Sequence, residues 1–273
     1  MLKYRLLSAL VLVPLVIYLI LTLSNAQFAF VLFLIMGLAA WEWTRLIPIS
    51  SLVQRIGYVV LVLALLASCW QFARIDAFVW SIHWLTFIWW LVALMWIPQP
   101  QMLALANGFS VTLKAMLGCL LFVSAWLSLV VLHARPDHGP YWMLFVVVLV
   151  WVADSGAYFA GKQWGKNKLA PHVSPGKTWE GVYGALAASL FFAWGASNFL
   201  HLKTSMLPGF VLVCMIVVLF SIAGDLLESL LKRHQSLKDS GNLIPGHGGM
   251  LDRIDSLLAA APLFSLGLHW VNL

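Results

Sequence analysis

Residues 209–231 read GFVLVCMIVVLFSIAGDLLESLL, an apolar run that carries no charge until Asp225 and Glu228 near its end. A helix needs about 20 apolar residues to cross the hydrocarbon core of a bilayer, and this run supplies them. A barrel strand would be short and alternating, whereas this run is continuous. The whole chain agrees with that reading: of 273 residues, 62% are hydrophobic and 10% charged, and the mean hydropathy is +0.93. Soluble domains are about 45–50% apolar and about 25% charged. A soluble globule, a disordered chain and a disulfide scaffold are therefore excluded, and the chain reads as all-α, a polytopic transmembrane helical bundle.

Outward from this run, apolar segments bounded by charge, proline or polar clusters give nine spans, near 6–24, 27–44, 57–72, 78–97, 110–132, 141–161, 179–200, 209–231 and 250–271. The third is short for a crossing and the fifth contains Lys114. With the amino terminus in the cytoplasm, cytoplasmic segments collect Lys3, Arg5, Arg45, Arg55, Lys162, Lys166, Lys168, Lys177, Lys232, Arg233 and Lys238, eleven bases against the external Arg74, Arg135 and Lys203. That bias follows the positive-inside rule and places the carboxyl terminus outside. Lys3 and Arg5 ahead of Leu6–Leu23, with Ser24-Asn25-Ala26 after it, also read as a cleavable secretory leader. The apolar stretch is longer than the roughly 7–15 residues of such leaders, so an uncleaved anchor is favoured; cleavage would leave eight spans. Cys69, Cys119 and Cys214 sit in apolar runs without a CxxC pair and read as packing residues. Many of the 15 tryptophans flank the spans, as interfacial anchors do.

The acids are unevenly spread. Residues 1–150 hold only Glu42, Asp76 and Asp137, whereas 151–273 hold seven. Residues 1–140, spans 1 to 5, accordingly read as membrane scaffold. Residues 141–273, spans 6 to 9 with cytoplasmic loops 162–178 and 232–249, read as the catalytic region. Ionisable groups at membrane depth are costly and are paired, solvated or functional. Asp154, within the sixth span, shares a helix face with Tyr158; it belongs to a polar cavity or glues two helices by hydrogen bonding. The following loop holds four lysines and no acid between Gly161 and Thr178. For the lysines alone an ordinary cytoplasmic loop suffices. Ser174-Pro175-Gly176-Lys177-Thr178 at the mouth of a helix is more specific, because free N–H groups and the helix dipole attract anions. A P-loop is excluded, since that motif needs glycine where Pro171 stands and a strand before it, which the chain is expected to lack; a phosphate-binding role without that fold is left.

The densest group comprises Asp225, Glu228, Lys232, Arg233, Lys238, Asp239, the turn Gly246-His247-Gly248-Gly249, and then Asp252, Arg253 and Asp255. Asp225, Glu228 and Lys232 fall at i, i+3 and i+7 on one helix face, and Asp252 and Asp255 are again three apart. Carboxylates from two adjacent helices can hold hard cations while the bases hold an anionic substrate. A structural salt-bridge knot would use similar residues but has no evident need of the glycine turn. Magnesium rather than zinc follows from the many carboxylates and the scattered histidines. His247 either contacts a phosphate or hydrogen-bonds backbone.

These residues resemble a known family. Ser229-Leu230-Leu231-Lys232-Arg233, Lys238-Asp239 and Pro245-Gly246-His247-Gly248-Gly249-Met250-Leu251-Asp252-Arg253-Ile254-Asp255 are similar to the signature of phosphatidate cytidylyltransferases. Asp154-Ser155-Gly156-Ala157-Tyr158 and Ser174–Thr178 with Glu180-Gly181 resemble two further family segments, and the layout resembles the bacterial inner-membrane enzymes. The resemblance implies transfer of the cytidylyl group of CTP to phosphatidic acid, with an active site facing the cytoplasm. It implies Mg2+ held by Asp225 and Asp252, with Glu228 and Asp255 as ligands or supports, and admits a second, monovalent cation such as K+. Catalysis would rest on Asp225, Asp252, Lys232 and Arg253. Substrate would be bound by Ser174, Lys177, Thr178, Arg233, Lys238, Asp239, His247, Gly248, Gly249 and Asp154. The partners are CTP, phosphatidic acid and the bilayer, with no nucleic acid; a homodimer stays open. A transporter is the main rival, but no inverted repeat is present. The acidic pattern of the CDP-alcohol phosphotransferases is absent.

Overall fold

The computed structural model describes residues 2–47, 49, 51–97, 111–243 and 248–273. Each apolar run forms a helix. Among the described residues these are α1 (Leu2–Thr22), α2 (Asn25–Leu46), α3 (Leu52–Phe72), α4 (Asp76–Trp96), α5 (Val111–His133), α6 (Gly139–Trp164), α7 (Trp179–Phe199), α8 (Leu207–His234) and α9 (Leu251–Trp270). A 3-10 turn, Thr204–Met206, leads into α8. Local chemistry marks their ends. Ser24 and Gln27 form a reciprocal capping box at α2, Pro140 sits in the first turn of α6, and Thr178 Oγ1 accepts from Gly181 N at 3.1 Å to start α7.

The helix α5 forms the axis of the bundle, with 72% of its apolar window buried against 22% for α3. Around it pack α2, α3, α4, α6 and α9. Its indole and buried serine hydroxyls find partners inside the protein, as lipid requires: Trp126 Nε1 donates to Ala29 O at 3.1 Å, and Ser128 Oγ lies 2.7 Å from His83 Nε2 of α4. The opposite side of the molecule is built from α6 against α7, α7 against α8, and α8 against α9. Gly224 lets α8 and α9 meet closely, because a Cβ there would lie 2.7 Å from the Asp255 carbonyl oxygen. Large apolar side chains such as Phe159, Phe191 and Phe199 project outward, as expected of a surface facing lipid.

The chain is almost entirely helical, and six of the described helices are long and apolar enough to cross a membrane. Two local expectations change. The third apolar run is not short: α3 begins at Leu52 and spans 21 residues. The second change is a departure from a purely helical chain. Lys168–Ala170 (β1) and Ser174–Thr178 (β2) form an antiparallel ribbon with Lys168 opposite Thr178 and Ala170 opposite Ser174. Pro171 and Pro175 bar a continuous helix there, so the backbone groups pair across the ribbon instead. The Gly176-Lys177-Thr178 run does therefore follow a strand, yet it lies within the ribbon itself and not in a phosphate-cradling loop.

Replacing Gly224 by leucine should force α8 and α9 apart at a cost of about 1–3 kcal/mol. A lowered unfolding temperature in detergent is the expected result; an unchanged midpoint contradicts the close approach.

Candidate functional site

The spacing of acids in α8 and α9 works as helical geometry dictates. Asp225, Glu228 and Lys232 share one face of α8, and Asp252 and Asp255 one face of the first turns of α9. Because Gly224 brings these helices into contact, the two faces meet. The last turn of α8 carries Lys232, Arg233 and His234, where positive charge complements the helix dipole; Lys232 and Arg233 thus belong to the helix and not to the loop after it.

Between α6, α8 and α9 lies an open cavity of about 240 Å³ lined by Asp154, Asp225, Lys232, Asp239, Asp252, Arg253, Asp255 and Ser256. Five carboxyl groups thus face two bases. Lys177 reaches in from the ribbon, its Nζ 2.7 Å from Asp225 Oδ2, and Ser229 Oγ donates to Asp225 Oδ1 at 3.2 Å. Lys232 Nζ lies 2.7 Å from Asp252 Oδ1 and 3.3 Å from Glu228 Oε1. Asp252 also accepts from two backbone N–H groups, Ser240 at 3.1 Å and Gly249 at 2.8 Å. Asp255 Oδ1 accepts from Ser256 N at 2.7 Å.

Most of the residues expected from the sequence gather here, and some do not. Glu228 is buried behind Lys232 and does not line the cavity. Thr178 is buried as the cap of α7, and Ser174 pairs with Ala170 in the ribbon. Arg233 Nε donates to Val173 O at 3.3 Å, tying α8 to the ribbon. Lys238 is exposed on the loop after α8. Gly248 adopts a left-handed φ of 83° beside Asp252, a conformation that favours glycine. His247 lies outside the described residues.

Sequence reasoning missed three residues. Ser240 and Ser256 carry no motif signal of their own. Glu42 does carry one, as an acid inside an apolar span of the scaffold region. Its buried carboxylate accepts from Ser240 Oγ at 3.0 Å, Met250 N at 3.1 Å and Leu251 N at 2.8 Å.

The donor set suits a hard cation. Among the described residues no three acidic or imidazole groups form a closed metal cage. Mg2+ does not need one, since it is held by one or two carboxylates together with water and substrate phosphates. A cavity with more carboxyl groups than bases would otherwise repel a polyphosphate. The oxygens of Asp225 and Asp252, already oriented by lysine and backbone donors, fit that role.

The sequence profile described as "Cytidylyltransferase family" matches residues 3–271. The chain is 41% identical to the phosphatidate cytidylyltransferase of Pseudomonas aeruginosa over 266 residues, 97% of this chain and 96% of that protein. It is 39% identical to that of Haemophilus influenzae, covering 97% and 98% of the two chains. A Staphylococcus aureus protein of the same name is 32% identical over 81% of this chain and 80% of its own length.

Removing the charge of Lys232 should strand Glu228 and Asp252 without their shared partner. The Lys232→Met variant is expected to lose about 3–5 kcal/mol of stability, seen as a lower thermal midpoint. A midpoint equal to that of the parent contradicts the buried ion-pair network.

Proposed function

The chain belongs to the cytidylyltransferase family, and we infer from that membership that it is a phosphatidate cytidylyltransferase. It transfers the cytidylyl group of CTP to the phosphate of phosphatidic acid, giving CDP-diacylglycerol and releasing pyrophosphate, a step of phospholipid biosynthesis. The observation that carries this reading is the near full-length similarity to the Pseudomonas aeruginosa enzyme. The acid-rich cavity between α6, α8 and α9 supplies chemistry of the kind the reaction needs.

We place all nine helices across the bacterial inner membrane with the amino terminus inside. The bias of eleven bases to three supports that orientation. The ends of α2, α6 and α8, the starts of α7 and α9, and the ribbon then share the cytoplasmic side. CTP reaches the cavity from solution and the lipid from the leaflet. Residues 141–273 form the catalytic region on a scaffold of residues 1–140.

The second ionisation of a phosphomonoester lies at about pH 6–7, so the lipid phosphate is largely a nucleophile already and needs no strong base. The protein's work is alignment and charge balance. An oxygen of the lipid phosphate attacks the α-phosphorus of CTP, and the bond to the β-phosphate oxygen breaks with pyrophosphate as leaving group. Lys177, Lys232 and Arg253 hold phosphate oxygens; Asp225 and Asp252 would hold Mg2+, with Asp154, Asp239 and Asp255 around them. Bound there, Mg2+ would neutralise charge on the triphosphate and polarise the phosphoryl group, and a monovalent cation such as K+ would be the second ion. Glu228 steadies Lys232 from behind. Lys238, Gly248, Gly249 and His247 are assigned to the anionic substrates, while Arg233, Ser174 and Thr178 act through the ribbon and the start of α7 that carry Lys177 to the cavity.

Purified protein given labelled CTP, phosphatidic acid and Mg2+ should place label in the lipid fraction, with dCTP and GTP as comparison donors. Unlabelled lipid from folded protein overturns the reading. Chelation should stop turnover and added Mg2+ restore it. Asp252→Asn should abolish transfer when turnover is counted per folded molecule; near-normal CDP-diacylglycerol synthesis by that variant removes Asp252 from the metal site.

A further inference from the structure

An acid in the membrane interior without a basic partner needs hydrogen-bond donors to compensate it. Glu42, near the cytoplasmic end of α2, is 6% exposed, and among the described residues no lysine or arginine forms an ion pair with it. Its compensation comes from three donors nearly 200 residues or more away in sequence. Oε1 accepts from Met250 N at 3.1 Å, and Oε2 accepts from Leu251 N at 2.8 Å and from Ser240 Oγ at 3.0 Å.

Two of these donors are the first N–H groups of α9, which a helix cannot satisfy itself. Met250, at the N-cap position, makes no side-chain capping bond. Glu42 therefore caps α9 from a different helix, and its negative charge lies where the dipole of α9 favours it. Arg45, one turn further along α2, donates to Ser240 O at 2.7 Å and holds the same loop. Room for the carboxylate is made by Gly241 and Gly249, since a Cβ at either position would overlap it.

The consequence lies on the other side of the same backbone. Ser240 N and Gly249 N donate to Asp252, while Ser240 Oγ and the neighbouring N–H groups of Met250 and Leu251 donate to Glu42. Ser240 and the segment Gly249–Leu251 are gripped by two carboxylates, Asp252 beside the cavity and Glu42 from α2. We propose that Glu42 is a positioning residue for cytidylyl transfer: it fixes the two N–H groups that orient Asp252 toward the cavity. This rests on the phosphatidate cytidylyltransferase reading above. Glutamine at position 42 keeps the shape but turns one acceptor into a donor, so at least one of the three bonds fails and the loop loosens.

The test compares parent, Glu42→Gln and Ser240→Ala in detergent. Ser240→Ala removes only the hydroxyl link and keeps the N–H to Asp252. The Mg2+ needed for half-maximal turnover is expected to rise, or kcat to fall, by about 10–100-fold in Glu42→Gln, as for other groups that orient a metal ligand. Ser240→Ala should shift the same way by less. In metal-free protein, amide hydrogen exchange of peptides spanning 240–251 should quicken in both variants, with exchange in α4 and α5 unchanged. Should Glu42→Gln fail to fold, Ser240→Ala alone decides through its exchange and its Mg2+ dependence. Parent-like exchange and Mg2+ dependence per folded molecule overturn the positioning role. A parent protein that makes no CDP-diacylglycerol overturns the functional reading instead.

Discussion

Asp252 is held by three donors from three places in the chain: Lys232 Nζ on α8, Ser240 N in the loop that follows, and Gly249 N just before α9. A buried carboxylate is tolerable only when so compensated, and satisfying this one draws together α8, its loop and α9. The close approach at Gly224 makes it possible. Asp225 then comes within reach of Lys177 on the ribbon, which brings residues 168–178 to the rim of the same cavity.

Much of this could be read from the sequence, and the limits follow from what periodicity can report. Apolar runs show where a helix begins and ends, and α5, α7 and α9 fall within a residue or so of their runs. The i, i+3 and i+7 spacing of Asp225, Glu228 and Lys232 shows that they share a face. Periodicity is silent on which faces meet. That Lys232 lines the cavity while Glu228 sits behind it, and that Lys177 and Lys232 pair with carboxylates, is set by tertiary contacts that the spacing does not report. The ribbon was hidden because three- and five-residue strands leave too short a pattern, even with two prolines excluding a helix.

Glu42 is the most instructive omission. The rule that singled out Asp154, an ionisable group within an apolar run, applies to it equally. Its partners lie 198 to 209 residues away, so nothing near it in the sequence hinted at a role. The consequence is that the amino-terminal helices are more than lipid-matching material: α2 supports the backbone on which the cavity is built.

Charge balance is the constraint on the proposed site. To admit two anionic substrates, a space lined by five carboxyl groups and two bases would require added positive charge, which a divalent cation and Lys177 from the ribbon can provide. The most direct measurement is a structure of the protein with Mg2+ and a CTP analogue that resists transfer. The account predicts the triphosphate in the cavity between α6, α8 and α9, with the metal between its phosphates and the carboxylates of Asp225 and Asp252. A nucleotide bound elsewhere on the protein, with that cavity unchanged, would contradict it.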